Sequence, residues 1–295
     1  MAQEVKTLCL YEKEYFARFL TMKKYGYNLL HERRQTSIKK IFGNFEFCKV
    51  KDSNSALQVL AIGTSNGVSD IPIIEALISR YVRIEYTVVE PVEEEIQCFR
   101  ELVVSKHKEG KWNSTQFKFN PVTIEKYLEG IEANTFADGQ RFDVIHTQHC
   151  AYYFRDPGIV FRKLYGLLNE GGTLCNITGF GAWLKISGRI RQIYGSSEIY
   201  HPSATLREMM QQQLPEAQSK IILRDIKVKV NECFEEESKA GNEMLDFIVH
   251  KLDFRKTASR EIVDSIVALL NECCLREGCN IFFPADEEVS VFVKV

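Results

Sequence analysis

Long apolar runs are missing. No stretch approaches the roughly 18 consecutive apolar residues that a membrane-spanning helix needs, so no membrane association is expected. The opening Met1-Ala-Gln-Glu-Val-Lys6 carries an acid and no apolar core of the kind a secretion signal shows; export is not expected. An excess of one charge sign is missing too, since 38 Lys and Arg face 40 Asp and Glu for a formal net charge of -2. Without a global basic field to hold a polyanion, a nucleic-acid partner is not expected. Only 7 Pro and 17 Gly stand among 295 residues, with 45% hydrophobic and 26% charged, which excludes disordered, collagenous and low-complexity chains. The nine cysteines form no Cys-x-x-Cys pair, and no His-Glu-x-x-His motif occurs, so no metal is expected. Odd in number and scattered, they read as free thiols packed as small hydrophobes in a reducing cytoplasm.

What is present is an alternation of strand and helix signals. Leu57–Ile62 is a short apolar run bounded by turn residues, the pattern of a strand buried on both faces. Val68–Arg80 reads as a helix, Ile84–Val89 as a strand, and Val92–Ser105 as a helix with Glu93, Glu94 and Glu95 in the turn where the dipole favours acids. Phe117–Asn120 and Phe142–Thr147 read as further strands, Gly158–Leu168 as a helix stopped by Asn169-Glu-Gly-Gly172, and Thr173–Thr178 as the fifth strand. Such alternation predicts an α/β fold, a parallel sheet with helices on both faces.

The flanks differ. Tyr11–Lys24 and Tyr27–Ile41 carry helical periodicity, so residues 1–55 are expected to form an N-terminal helical lid. After Thr178 the alternation loosens. Gly179, Gly181 and Gly188 around Trp183 suggest a mobile connection, and Ile221–Val230 with Val289–Val295 are expected to close the sheet as an antiparallel pair. The core is thus placed at 56–230 and 289–295. Residues 231–288, with helical patterns at Asn242–Leu252 and Ala258–Cys274, are read as an insertion contributing to a substrate pocket. The whole is taken as a single domain, and nothing in it requires a partner subunit, so a monomer is expected.

Val59-Leu-Ala-Ile-Gly63-Thr-Ser-Asn-Gly67 runs a buried strand into Gly-x-x-x-Gly at the mouth of a helix. Gly63 permits a sharp turn and a ligand against the main chain, and Gly67 permits close strand-to-helix packing. In an open α/β sheet, ligands bind at this end of the strands. Plain turn chemistry gives the same pattern, but Glu90, at the tip of the next strand and 27 positions after Gly63, adds to it. A carboxylate there can accept both hydroxyls of a ribose. The loop is not Gly-x(4)-Gly-Lys-Ser/Thr, so it does not grip phosphate as a P-loop does. Ser65 replaces the second glycine of a dinucleotide motif, and Asp70 places an acid in the helix's first turn, where it would repel a pyrophosphate. A cationic sulfonium suits the loop better, and S-adenosyl-L-methionine is the expected cofactor.

In these motifs the chain resembles the class I, Rossmann-like methyltransferases and, within them, the histamine N-methyltransferases. The likeness runs over most of the chain. It rests on VLAIGTSNG, on VVEP followed by EEEIQCFRELV, on FDVIHTQHCAYYFRDP, on the Leu167–Gly172 hairpin and on EGCNIFFP with VFVKV. It implies a small-molecule amine as substrate and S-adenosyl-L-homocysteine as product. It also implies cofactor roles for Gly63, Gly67, Glu90, Pro91, Glu95, Thr123 and Gln148, with Glu95 standing where the family has a glutamine. Substrate-facing positions are Tyr25, His149, Tyr152, Tyr153, Trp183 and Pro284, joined by the aromatic stripe of Tyr11, Tyr15 and Phe19 read from its helical spacing. Two departures bear on the substrate. The family's amine-binding glutamate aligns at Tyr25–Gly26, and its pocket asparagine aligns near Pro284, with Asp286 and Glu287 close by.

Methyl transfer from a sulfonium is an in-line displacement, in which the protein mainly aligns the partners and excludes water. A neutral imidazole already carries the nucleophilic lone pair. His149 is the single candidate for a further catalytic role, as base or hydrogen-bond partner. The expected reaction is N-methylation of a small imidazole or aromatic amine. One alternative is an imidazole dipeptide of the carnosine type, its carboxylate met by Lys23 or Lys24. The other is a non-catalytic protein that keeps the cofactor site.

Overall fold

In a computed structural model, the described residues are 6–8, 12–26, 38–39, 41–43, 55–133, 140–195 and 203–295. Tyr11 and almost all of the expected Tyr27–Ile41 helix lie outside them. The N-terminal aromatic stripe forms α1, Glu12–Thr21, which continues as a π-helical turn, Met22–Gly26. The described residues divide into two compact units. The smaller holds residues 6–8, 12–26, 179–195 and 224–287, and the larger holds the rest. Residues 179–195 and 224–230, expected within the sheet core, thus fall in the smaller unit.

The larger unit is built on parallel strands. β1 (Leu57–Ile62) and β2 (Ile84–Val89) have the bounds their apolar runs predict, followed by β3 (Thr115–Asn120), β4 (Phe142–Gln148) and β5 (Leu168–Gly179). A seven-stranded sheet results, in the order β3-β2-β1-β4-β5-β10-β6, with β6 at Gln218–Arg224 and β10 at Glu287–Val293. Leu57, Val59 and Ala61 point to the face covered by α2 (Ile71–Ile78) and α3 (Glu93–Lys108). Leu60 and Ile62 point to the face covered by α4 (Ile124–Glu132) and α5 (Pro157–Gly166). Period-two alternation of side chains thus fills both cores from one apolar run.

Three expectations need correction. The Asn169–Gly172 segment does not merely stop a helix. α5 ends at Gly166 and β5 begins at Leu168, which pairs with Phe142 of β4, and the Gly171 N–H donates to the Lys294 carbonyl just beyond β10 (2.9 Å). The glycines around Trp183 do not make a mobile connection, since Ala182–Tyr194 is a regular helix, α6, that buries Ala182, Ile186 and Ile190. Ile221–Val230 is not one strand. Asp225-Ile226 interrupts it, leaving β6 beside β10 in the large sheet and β7 (Lys227–Lys229) in a three-stranded sheet of order β7-β9-β8, with β8 at Leu275–Glu277 and β9 at Asn280–Pro284. An eleven-residue helix not read from the sequence, α7 (Ser203–Gln213), packs on α5 through Leu206 and Met210.

In the smaller unit, α1 and α6 share one core with α8 (Lys239–Val249), α9 (Arg260–Cys273) and the small sheet, whose outer strands flank β9 (Asn280–Pro284). Ser238 caps α8 by accepting the Gly241 N–H (3.0 Å), and its hydroxyl donates to Glu232 (2.7 Å). No described helix is long and apolar enough to cross a membrane.

Candidate active site

β1 delivers the chain into the glycine loop at Gly63, whose φ of +66° is left-handed backbone. A Cβ there would lie 2.4 Å from the Cβ of Cys150, so one reason for this glycine is the protein's own packing. Gly67, at φ +76°, is closed in the same way by the ring of Phe99, 2.2 Å from where a Cβ would stand. The close approach expected of Gly67 is therefore made with α3.

Ser65 is the hinge between loop and acids. At φ 49° it adopts a conformation that a side chain disfavours. Its N–H donates to Glu90 Oε2 (2.9 Å), and its hydroxyl donates to Glu95 Oε2. Glu90 also accepts the Val92 N–H on Oε1 (3.2 Å), while its own N–H donates to the Asn120 carbonyl (3.2 Å). Asn120 in turn donates its amide to the Val88 carbonyl (3.0 Å). Both Glu90 and Glu95 are buried. Two carboxylates, one at the tip of β2 and one in the first turn of α3, are thus fixed by one serine.

Gln148, at the end of β4, donates its amide to the Ser69 carbonyl (3.4 Å), and its Oε1 is buried with no partner. An orphaned buried acceptor costs about 1–3 kcal/mol, and a ligand donor would relieve it. Fixed carboxylates at 90 and 95 with this acceptor suit a ligand rich in N–H and O–H donors and positive charge, as adenosylmethionine is. Pro91 and Thr123 lie at the surface. The Thr123 hydroxyl caps α4 by accepting the Lys126 N–H (3.4 Å). His149 follows β4 at φ 50°, pinned by its N–H to the Ile177 carbonyl (2.8 Å). Tyr152 is buried in the core, edge-on to the less buried Tyr153 at 4.6 Å between ring centroids.

The remaining substrate candidates lie in the smaller unit. Tyr15 and Trp183 both contact Phe247, at 5.5 and 6.5 Å, and Trp183 meets Phe283 edge-on at 4.9 Å. Pro284 ends β9 beside Phe283. Tyr25 is an exposed ring with the Lys24 ammonium 5.1 Å above it. Of the two nearby acids, Glu287 is engaged in a buried ion pair with Arg224, whereas Asp286 is partly exposed and accepts the Ile226 N–H (3.3 Å). Burial raises the Asp286 pKa.

Sequence reasoning missed the residues beneath the loop. Asp70 does not face a ligand from a first helical turn. It is the N-cap residue of α2, makes no capping bond, and turns its carboxylate into the core, where Tyr86 donates to Oδ1 (2.6 Å). Burial raises its pKa to about 7, against the lowering by Tyr86, and Glu90 raises it further. His146, held neutral by burial with its pKa lowered to about 3, lies 2.7 Å from the same hydroxyl. The signal was available: a tyrosine in Ile84–Val89 and a histidine in Phe142–Thr147 are polar residues inside buried strands, and such residues are paired.

This arrangement sets a pH dependence. Between about pH 4 and 7 the folded state holds a proton on Asp70 that the unfolded chain releases, so this group's contribution to stability falls as pH rises. His146 acts in the opposite sense between about pH 3 and 6.5. Asp70→Asn is therefore expected to gain on the wild type across pH 4–7, by about 2–4 kcal/mol at the plateau. Unfolding curves at pH 4.5, 6 and 8 that stay parallel for the two proteins would refute this.

No family model matches the chain. Its fold is that of the class I, Rossmann-like methyltransferases, a seven-stranded sheet flanked by helices. The YcgJ protein of Bacillus subtilis superposes with a TM-score of 0.53 at 15% identity, over 88% of this chain and 98% of that one. The sequence likeness is to histamine N-methyltransferases. That of Xenopus laevis (form B) is 26% identical over 83% of both chains, and carnosine N-methyltransferase 2 of Gallus gallus is 22% identical over 79% of this chain and 72% of its own. Sequence and fold together mark the chain as an enzyme resembling adenosylmethionine-dependent methyltransferases.

Proposed function

We propose that the protein transfers a methyl group from S-adenosyl-L-methionine to a nitrogen of a small imidazole or aromatic amine. The observation that carries the reading is the double grip of Ser65 on Glu90 and Glu95 at the mouth of the glycine loop. In this reading Glu90 takes the ribose hydroxyls, Glu95 and Gln148 take further donors of the cofactor, and Gly63 lines its path. Gly67 keeps the loop close to α3, with Pro91 and Thr123 at its border. The bound cofactor supplies an electrophilic methyl. The chain's own part is to orient, to exclude water and to favour positive charge, which aromatic faces such as Tyr153 do by about 0.5–2 kcal/mol each. The smaller unit, taken by itself, carries the aromatic candidates Tyr15 and Trp183 and the partly exposed carboxylate of Asp286, which could meet an ammonium. Likeness to a carnosine N-methyltransferase keeps an imidazole dipeptide as the second acceptor class. We place the protein in the cytoplasm as a monomer, in keeping with its scattered thiols.

A tritiated-methyl screen across histamine, histidine, carnosine, pyridines and aromatic amines tests the reading. Transfer to none of them, with no thermal stabilisation by millimolar adenosylhomocysteine, would overturn it, because ligand at 100 times its Kd adds about 2.7 kcal/mol. His149→Asn keeps a residue that tolerates left-handed backbone. It is expected to lower kcat at least tenfold with the cofactor Kd within threefold of wild type; equal losses in both would make His149 structural.

A further inference from the structure

Tyr86 and His146 flank β1 on either side. Tyr86 of β2 pairs with Val59, and His146 of β4 pairs with Ala61. All four point to the same face, and the small side chain of Ala61 leaves room for the tyrosine hydroxyl to reach His146. Asp70 meets that hydroxyl from the start of α2. The three side chains are fully buried among Phe42, Phe117 and the aliphatic core.

Proton counting gives the chain a direction. A tyrosine hydroxyl has one proton, and here it goes to Asp70 Oδ1. The hydroxyl oxygen then accepts from His146 Nε2–H, and Nδ1, which has no partner, is a bare acceptor rather than a stranded donor. With Asp70 ionised, above about pH 7, the sequence is His146 to Tyr86 to Asp70, ending on a carboxylate whose Oδ2 has no partner. Of the described titratable groups, Glu90 and Cys150 also feel the Asp70 charge.

What this chain holds is the far end of the glycine loop. The Asp70 N–H donates to the Gly67 carbonyl (3.0 Å), and its carbonyl accepts the Ile74 N–H (2.9 Å). The near end is held at Ser65 by Glu90 and Glu95, and Ser69, next to Asp70, is held by Gln148. We propose that Tyr86 and His146 are positioning residues which, through Asp70, fix the loop from Gly63 to Asp70 in the form that receives the cofactor. The proposal rests on the reading of that loop as the adenosylmethionine site.

Tyr86→Phe removes one oxygen and keeps the ring. It is expected to raise the Kd for adenosylhomocysteine three- to tenfold at pH 7.5. It should also move the amide resonances of Ser65 and Gly67 in the ligand-free protein. Because the Tyr86 hydrogen bond lowers the Asp70 pKa, its removal shifts the midpoint of the Kd–pH profile upward, which a loss of packing alone would not do. His146→Gln, whose amide can still donate to the tyrosine oxygen, is expected to bind within twofold of wild type with an unmoved midpoint, whereas His146→Phe weakens binding like Tyr86→Phe. These two variants carry the test if Tyr86→Phe does not fold. Wild type that fails to bind adenosylhomocysteine overturns the reading of the loop. Wild type that binds, with variants matching it in Kd, midpoint and amide positions, overturns the network alone.

Discussion

Replacing Glu90 by alanine is expected to raise the Kd for adenosylhomocysteine at least tenfold, a loss of about 1.4 kcal/mol or more. Two effects add. The carboxylate is an ionised acceptor, and a hydrogen bond to a charged group contributes about 1.5–3 kcal/mol. It is also what holds the loop, since Ser65 and Val92 both give their N–H to it, and alanine releases those donors at once. Glu90→Gln separates the two contributions. It keeps one oxygen as acceptor while removing the charge, and its Kd should fall between those of wild type and Glu90→Ala. Isothermal titration of the three proteins at one ionic strength decides the matter. A Kd for Glu90→Ala within twofold of wild type would leave the ribose assignment without support.

The largest expected loss of stability lies in the smaller unit, at Gly241. A Cβ there would lie 1.8 Å from the carbonyl oxygen of Glu232, a backbone atom that cannot rotate aside. Ser238 creates the crowding by bonding Gly241 and Glu232 together, which draws the 3-10 turn Asn231–Phe234 onto the first turn of α8. Gly241→Ala is expected to cost about 3 kcal/mol or more, outweighing the gain in helix propensity of about 1 kcal/mol that alanine normally brings. Thermal unfolding followed by circular dichroism reads this directly. A melting temperature equal to wild type would show that the turn can move away.

Much of the large sheet was legible because parallel strands buried on both faces must be continuously apolar and short. Leu57–Ile62 and Ile84–Val89 announce themselves with their bounds. Glu90 was legible for the opposite reason, as an acid ending an apolar strand. Ser65 could be read only as a missing glycine; that it clasps two carboxylates depends on how β2 and α3 return beside β1, information spread over some thirty residues. Asp70 was misread because helix periodicity places it in an exposed turn, while the tertiary pairing with Tyr86 turns it inward. The region after Thr178 was hardest. Trp183 sits in a helix rich in glycine at its borders, and one apolar run, Ile221–Val230, is cut by Asp225-Ile226 between two sheets. Short strands such as Leu275–Glu277 carry no periodicity long enough to register.

The contact between Gly63 and Cys150 has a chemical consequence. The residue reaches the surface in part, yet its sulfur is packed inward and donates to the Ile62 carbonyl (3.3 Å), and burial, then the nearby Glu90, push its pKa far above the ordinary thiol range. A thiolate is the form that attacks electrophiles. A methyl donor bound at the loop as we propose would stand near this soft nucleophile, and burial first, with Glu90 second, keeps that sulfur protonated and silent.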